Sequence, residues 1–254
     1  MSYTDTDGTI RKRSGWLIPL GVFVVTAGLS ALFLLFYLAP SSNNFLEEQV
    51  SPTSRSDLVA LEVHNLKLWI PANYLQYDSA RQGGTRKLVQ MFALLPDFAG
   101  WSNWEAQTFT GNAADSPVIY MLIREERVNL TEGDRLKRVY LAYVVSPRGI
   151  PGPFNLTQYV FRENGNQGYR GEDMFVGETP EGPAIHLCER FSPTVPSPNC
   201  LRDMRLAHGV VLTYRFKRAH LSRWREIADG VSKLAAGFKK PPKTQAFATP
   251  QPRP

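Results

Sequence analysis

The sequence predicts an α+β protein: an N-terminal transmembrane helix, then a mainly antiparallel sheet domain covered by a C-terminal amphipathic helix. Three observations predict it. An uncharged apolar run stands near the N-terminus, a series of short extended segments follows, and one long helical stripe closes the folded part of the chain. Strands in succession followed by a helix with a single apolar face give a sheet with that helix on one side.

The apolar run, Trp16 to Leu38, reads WLIPLGVFVVTAGLSALFLLFYL and carries no charge. At 1.5 Å per residue its 23 residues reach roughly 34 Å, enough to cross a hydrocarbon core of about 30 Å. Pro19 falls in the first turn, where its missing N–H is harmless. Trp16 and Tyr37 stand at the two ends, where interfacial aromatics are expected. A cleaved signal peptide would have a shorter apolar region and small residues at its cleavage site, and Tyr37-Leu38-Ala39-Pro40 does not supply them. A retained anchor is therefore expected, with the lipid bilayer itself as the partner of residues 16–38. Arg11, Lys12 and Arg13 precede the span, while Glu47 and Glu48 follow it. The positive-inside rule puts residues 1–15 in the cytoplasm and the rest of the chain outside.

Residues 39–56 are polar and unpatterned and read as a stalk. Residues 57–238 have the size of one domain with its own core. The basic tail 239–254 holds five prolines and is expected to be disordered or polyproline-like. Within the domain, alternation from Leu61 to Ile70 predicts extended chain up to Pro71. Lys87–Leu95 fits a buried strand and Ser102–Phe109 a short helix. Val118–Val128 and Lys137–Val145 read as strands on either side of Thr131-Glu132-Gly133-Asp134, whose Gly and Asp suit a tight turn. Further strands fit Thr157–Arg162, Tyr169–Phe175, Ala184–Glu189 and Val210–Phe216. One separator is Glu163-Asn164-Gly165-Asn166, and the others are Thr179-Pro180-Glu181-Gly182 and His208-Gly209. From Leu221 the apolar positions Trp224, Ile227, Ala228, Val231, Leu234, Ala235 and Phe238 recur at steps of three and four, one buried helical face.

Cys188 and Cys200 enclose a loop with three prolines. Outside the membrane they are expected to form a disulfide, and without a C-x-x-C a redox role has little support. The four histidines, His64, His186, His208 and His220, are scattered. No metal-binding, nucleophile-elbow, Walker or dinucleotide motif is present, so neither a catalytic residue set nor a cofactor is expected. Adjacent Glu125 and Glu126 on a strand point to opposite faces, which suits ion pairs better than shared acid–base work. His186, between Ile185 and Leu187, is expected to be a hydrogen-bonded structural histidine. Gly83-Gly84-Thr85-Arg86-Lys87 is read as a surface loop. Phe98, Trp101, Trp104 and Phe109 form a local aromatic cluster. Core packing accounts for such a cluster, but Trp101 and Trp104 are also the candidate interface anchors, because Trp is enriched at binding hot spots.

The 254 residues carry 29 Lys and Arg against 23 Asp and Glu, a net charge of +6. Residues 39–200 hold 14 basic and 18 acidic side chains, residues 201–254 hold 12 and 3. A basic end on the outer side of the membrane suits anionic lipid, an acidic protein or a wall polymer, and nucleic acid is not expected there.

Ile70-Pro71-Ala72-Asn73-Tyr74-Leu75, Leu95-Pro96-Asp97-Phe98-Ala99-Gly100 and Cys200-Leu201-Arg202-Asp203 follow one another, with Tyr214-Arg215-Phe216 and Trp224-Arg225 after them. Over Val63 to Phe238 this order resembles a group of uncharacterised single-span membrane-anchored proteins of alphaproteobacteria. The resemblance implies an inner-membrane protein with a periplasmic domain and brings no activity with it. Together these readings point to a non-enzymatic periplasmic interaction or accessory module that binds an envelope protein, an immunity-like protein being one version. The alternative is an envelope enzyme or small-ligand binder acting on cell-wall or lipid material. That alternative needs a concave pocket with converging polar groups, and His186, Glu125 or Glu126, and Arg215 around one cleft would favour it.

Overall fold

The computed structural model describes residues 15–38, 48–128, 130–163 and 168–242. The Arg11-Lys12-Arg13 flank, residues 39–47 of the expected stalk, most of the Glu163–Asn166 separator and the tail from 243 lie outside the described residues. The chain divides into two units, Met1–Gln49 and Val50–Pro254.

In the first unit, α1 spans Leu17–Leu38. Its Ile18–Leu35 stretch has a mean hydropathy of 2.3, long and apolar enough to cross a membrane. The Thr26 hydroxyl donates back to the Val22 carbonyl at 2.9 Å, so this polar group is satisfied within the helix.

The second unit begins on the sheet domain itself. The Ser51 amide donates to the Gln76 carbonyl at 2.9 Å, and Arg81 Nη2 donates to the Ser51 hydroxyl at 2.8 Å. A small sheet contains the hairpin β1 (Leu58–Val63) and β2 (Leu66–Pro71), with β3 (Gly84–Arg86) parallel to β1. The expected glycine-rich surface loop thus runs as β3. The main sheet has eight strands, all paired antiparallel. They are β4 (Leu88–Leu94), β5 (Val118–Glu125), β6 (Ile150–Pro151), β7 (Thr157–Val160), β8 (Glu172–Thr179), β9 (Gly182–Glu189), β10 (Asn199–Ala207) and β11 (Val210–Lys217). In space they run β4-β5-β11-β10-β9-β8-β7-β6. Among the described residues four α-helices accompany them: α2 (Asp78–Arg81), α3 (Ala106–Thr110), α4 (Glu132–Arg138) and α5 (Trp224–Phe238).

Alternation builds the core. Val89, Met91 and Ala93 of β4, Ile119, Met121 and Ile123 of β5, and Leu212, Tyr214 and Phe216 of β11 point to one face. There they meet Leu61, Val63, Leu68 and Ile70 of the small sheet and Trp224, Ile227, Val231, Ala235 and Phe238 of α5. The other face is covered only in part. Near β4, Phe92, Leu94 and Val118 pack on Phe109 of α3. Near β8, Met174, Val176 and Ile185 pack on Tyr140, Val144 and Phe161.

The sheet has a weak seam. β9 and β10 share only two ladder pairs, Cys200 with Cys188 and Leu201 with Leu187, whereas β8 and β9 pair along their whole length. The disulfide joins Cys188 and Cys200 across this seam. Past it the strands part, and the side chain of Glu132 enters the gap. It accepts the Ile185 amide at 3.1 Å and both ends of the Arg202 guanidinium at 2.9 and 2.8 Å. Burial alone would lower the Arg202 pKa, but its bonds to Glu132 and Tyr214 hold it well above the ordinary value.

Several expectations are corrected. Thr131-Glu132-Gly133-Asp134 is a helix start and not a hairpin turn: the Thr131 hydroxyl accepts the Asp134 amide at 3.0 Å, an N-cap. Accordingly Lys137–Val145 is the end of α4 and a 3-10 turn at Tyr140–Ala142, not a strand. The strand expected from Tyr169 begins at Glu172, and Asn199–Ala207 is a strand that hydrophobic patterning missed. Arg202, Asp203 and Arg205 break its apolar pattern. In the fold Arg202 pairs with Glu132 and Asp203 with Arg135.

Candidate partner-binding end of the sheet

Besides the β7–β8 connection, strand direction gathers three connections at one end of the main sheet. β4, β9 and β11 end there and β5 and β10 begin there, as the pairs Leu94–Val118, Cys188–Cys200 and Lys217–Asn199 require. The connections are residues 95–117, the disulfide-closed loop 190–198, and the 3-10 segment Arg218–Arg223 that leads into α5.

They are fastened to one another through polar groups. Lys217 Nζ donates to Asn112 Oδ1 at 2.6 Å and to the Ser197 carbonyl at 3.2 Å. Burial, and then the nearby Arg215, lower the Lys217 pKa. The Ser197 hydroxyl donates to the Ala113 carbonyl at 3.3 Å. His220 Nε2 lies 3.0 and 3.1 Å from the Asp115 and Ser116 carbonyls, so it is the protonated nitrogen. Asp173 anchors the disulfide loop, accepting from Arg190 Nε at 2.9 Å and from Arg218 Nη2 at 3.0 Å. Loops tied in this way present their side chains in fixed positions.

The aromatic cluster separates into different roles on this frame. Phe109 is buried, and Trp101 is half-buried against Phe92, Leu94 and Val118. Phe98 packs on α5, where a side chain on Gly230 would come within 2.0 Å of its ring. Trp104, in the 3-10 turn Asn103–Glu105, is 97% exposed, so it contributes nothing to the core. Phe191, on the disulfide loop, is 74% exposed. Sequence reasoning paired Trp101 with Trp104 and did not single out Phe191; flanking Arg190 and Ser192 gave it no apolar pattern.

The groups whose convergence would favour the enzyme alternative are held in separate places. Glu125 Oε1 meets His64 Nδ1 at 3.2 Å, and Glu126 meets Arg124 at 2.9 Å. Arg215 is exposed and lies over the Tyr120 ring, 5.0 Å from its centroid. His186 is fully buried between the rings of Phe216 and Trp224, each 5.8 Å away. Contrary to expectation, neither of its nitrogens has a hydrogen-bond partner among the described residues. The apolar rings around it leave no acceptor in reach, and burial, with the charge of Arg202, drives its pKa down to about 3. Among the described residues no group of three or more His, Cys, Asp or Glu stands in an arrangement that would hold a metal ion.

No family model matches the sequence, and no curated protein matches it. Two solved structures match the chain. The immunity protein Smlt3025 of the Stenotrophomonas maltophilia type IV secretion system has a TM-score of 0.51 and 17% identity, covering 72% of this chain and 94% of its own. The Neisseria meningitidis iron-regulated outer membrane lipoprotein FrpD has a TM-score of 0.46 and 15% identity, covering 75% of this chain and 96% of its own. At these identities the first likeness is one of architecture: an antiparallel sheet domain with helices.

Proposed function

We propose that this chain is a single-span protein of the bacterial inner membrane whose outer domain binds another envelope protein at the loop end of its sheet. The observation that carries the reading is Trp104, 97% exposed on a segment fastened from several sides. A tryptophan in water with no packing role is a ready anchor for a partner pocket. Phe191 at the same end supports it. The apolar α1 and the Arg11-Lys12-Arg13 flank support the anchor and its orientation. The fold likeness to an immunity protein supports the version in which the partner is a toxin that reaches the periplasm. The enzyme alternative loses ground because His186 is sealed in the core, away from Glu125, Glu126 and Arg215.

The test is site-specific photo-crosslinking in intact cells, with a crosslinking amino acid at position 104, 191 or 233. Lys233 is exposed on α5, away from the loop end. Positions 104 and 191 are expected to capture the same envelope protein and position 233 is not. An identical capture pattern at all three positions would overturn the assignment.

A further inference from the structure

We infer that the β6 edge of the domain, residues 145–154, rests on an anionic lipid surface; the inference depends on the membrane-anchor reading. This segment reads VSPRGIPGPF. Its large apolar side chains face water: Val145 is 63% exposed, Ile150 50% and Phe154 51%. Three such residues within ten mark a contact surface, whereas singly scattered ones need no explanation.

The segment is rigidly held. A side chain on Gly149 would come within 2.6 Å of Thr157, and one on Gly152 within 2.9 Å of the Leu156 carbonyl. Leu156 is buried in the main core. Trp224 Nε1 donates to the Phe154 carbonyl at 3.1 Å, fixing the loop from beneath. Phe154 and Asn155 both take left-handed backbone, with φ of 60° and 59°. Asparagine tolerates that region, but a phenylalanine persists there only when its surroundings enforce it, and such strain gathers at functional loops. Here it leaves Phe154 half in water.

Charge and edge geometry choose the occupant. From Arg135 to Arg162 the sequence has five basic residues and no acidic one; Arg135 is paired with Asp203, and Asp134, 4.0 Å from Arg138, and exposed Glu163 flank the run. Lys137, Arg138, Arg148 and Arg162 are exposed. Arg162 shares the edge with Val145, through the bond from its amide to the Tyr143 carbonyl at 2.9 Å and from the Val145 amide to the Val160 carbonyl at 2.8 Å. Apolar side chains fringed by cations suit a bilayer with anionic headgroups, where two weak signals together give binding. A protein partner that adds a strand is poorly served, because β6 is two residues long and ends in Pro151. The same chain brings the bilayer close. Twelve residues separate Leu38 from Ser51, which is bonded to the domain at Gln76 and Arg81, a maximum reach of about 40 Å, and tethering raises the effective concentration of so weak a contact. β4 and β6 are the outermost strands of the sheet. With neighbours about 4.8 Å apart they stand about 34 Å from each other, so a lipid-bound β6 edge leaves the β4–β5 connection and Trp104 in water.

The test places a nitroxide on Ile150→Cys, Val145→Cys or Trp104→Cys in the full chain, reconstituted in vesicles of phosphatidylethanolamine and phosphatidylglycerol. Power saturation then compares accessibility to oxygen, which enters lipid, with accessibility to a nickel chelate, which stays in water. Oxygen accessibility is expected to exceed nickel accessibility at 150 and 145, with the reverse at 104. Exchanging phosphatidylglycerol for phosphatidylcholine is expected to weaken the effect at 150. Labels at 145 and 150 as nickel-accessible as the label at 104 would overturn the inference. So would shielding of 145 and 150 from both reagents, the sign of a protein cover. Failure of the anchor is read separately, as release of the unlabelled full chain from native membranes by alkaline carbonate.

Discussion

Glu132 and Arg202 meet through two hydrogen bonds, of 2.9 and 2.8 Å, in the gap where β9 and β10 part. The same carboxylate accepts the Ile185 amide, so a side chain from α4 stands where a ladder bond is missing. Arg202 Nη1 reaches on to the Tyr214 hydroxyl at 3.2 Å. Strands β4, β5, β11 and β10 on one side and β9, β8, β7 and β6 on the other meet at this seam through two ladder pairs, one disulfide, this ion pair and the bonds from Asn199 to Glu189. The Arg218–Asp173 pair and the shared core also bridge it.

Glu132→Ala leaves the Arg202 guanidinium, 7% exposed, without its counter-charge. Breaking a buried pair from one side costs about 3–5 kcal/mol. Replacing both partners with leucine is expected to recover much of that loss, because neither charge is then stranded. Urea midpoints check both statements, and a single variant as stable as the parent would contradict the seam.

Cys188→Ser removes the covalent staple, which closes a loop of sequence separation 12 and stabilises by up to about 3 kcal/mol in the chain-entropy view. The loss is expected to be local. Amide exchange of Leu187 and Leu201 quickens more than that of Met91 and Met121 in the β4–β5 pair. Uniform quickening across the sheet would show that the seam is not its weak point.

Trp224 is 2% exposed, with its ring on Gly177, where a side chain would come within 2.3 Å of it. Trp224→Ala is expected to cost about 3–5 kcal/mol through lost burial and the cavity left behind. Arg223→Ala, whose partner Glu226 sits one turn along the surface, is expected to leave the melting temperature nearly unchanged. Equal melting temperatures for the two variants would remove Trp224 from the core.

His186 gives the domain an acid limit. Its folded pKa is about 3, against 6.5 for the free group, so below pH 6.5 the unfolded chain binds a proton that the folded chain refuses. Stability therefore falls as pH drops from 6.5 towards 3 and the contribution levels off below that. Between pH 7 and pH 5 this linkage costs about 2 kcal/mol. His186→Leu is expected to flatten that part of the urea-midpoint profile, and an unchanged slope would place another group in the role.

The sequence made α5 legible because one of its faces meets the core and the other meets water, so period and polarity agree. The β1–β2 strands were legible for the same reason at period two, whereas β8 is buried on both faces in its middle and its start was misplaced. The start of α4 was not, because Thr131-x-x-Asp134 serves turns and caps alike, and only packing against β9 selects the helix. β10 was hidden by Arg202 and Asp203, whose partners Glu132 and Arg135 lie about 70 residues away in sequence. The candidate site divides similarly. Trp101 and Trp104 are three residues apart in one aromatic cluster, and pattern alone cannot tell the half-buried ring from the exposed one.

The most direct measurement of the central claim is co-purification of the envelope partner from gently solubilised membranes, with Trp104→Ala and the parent chain side by side. Trp104 is 97% exposed, so the variant is expected to keep the parent's melting temperature, and loss of an interface anchor typically costs 2 kcal/mol or more, roughly thirtyfold in affinity. The account predicts an unshifted melting curve and a partner band that disappears. An unshifted curve with the partner retained at the parent's level would contradict binding at the loop end.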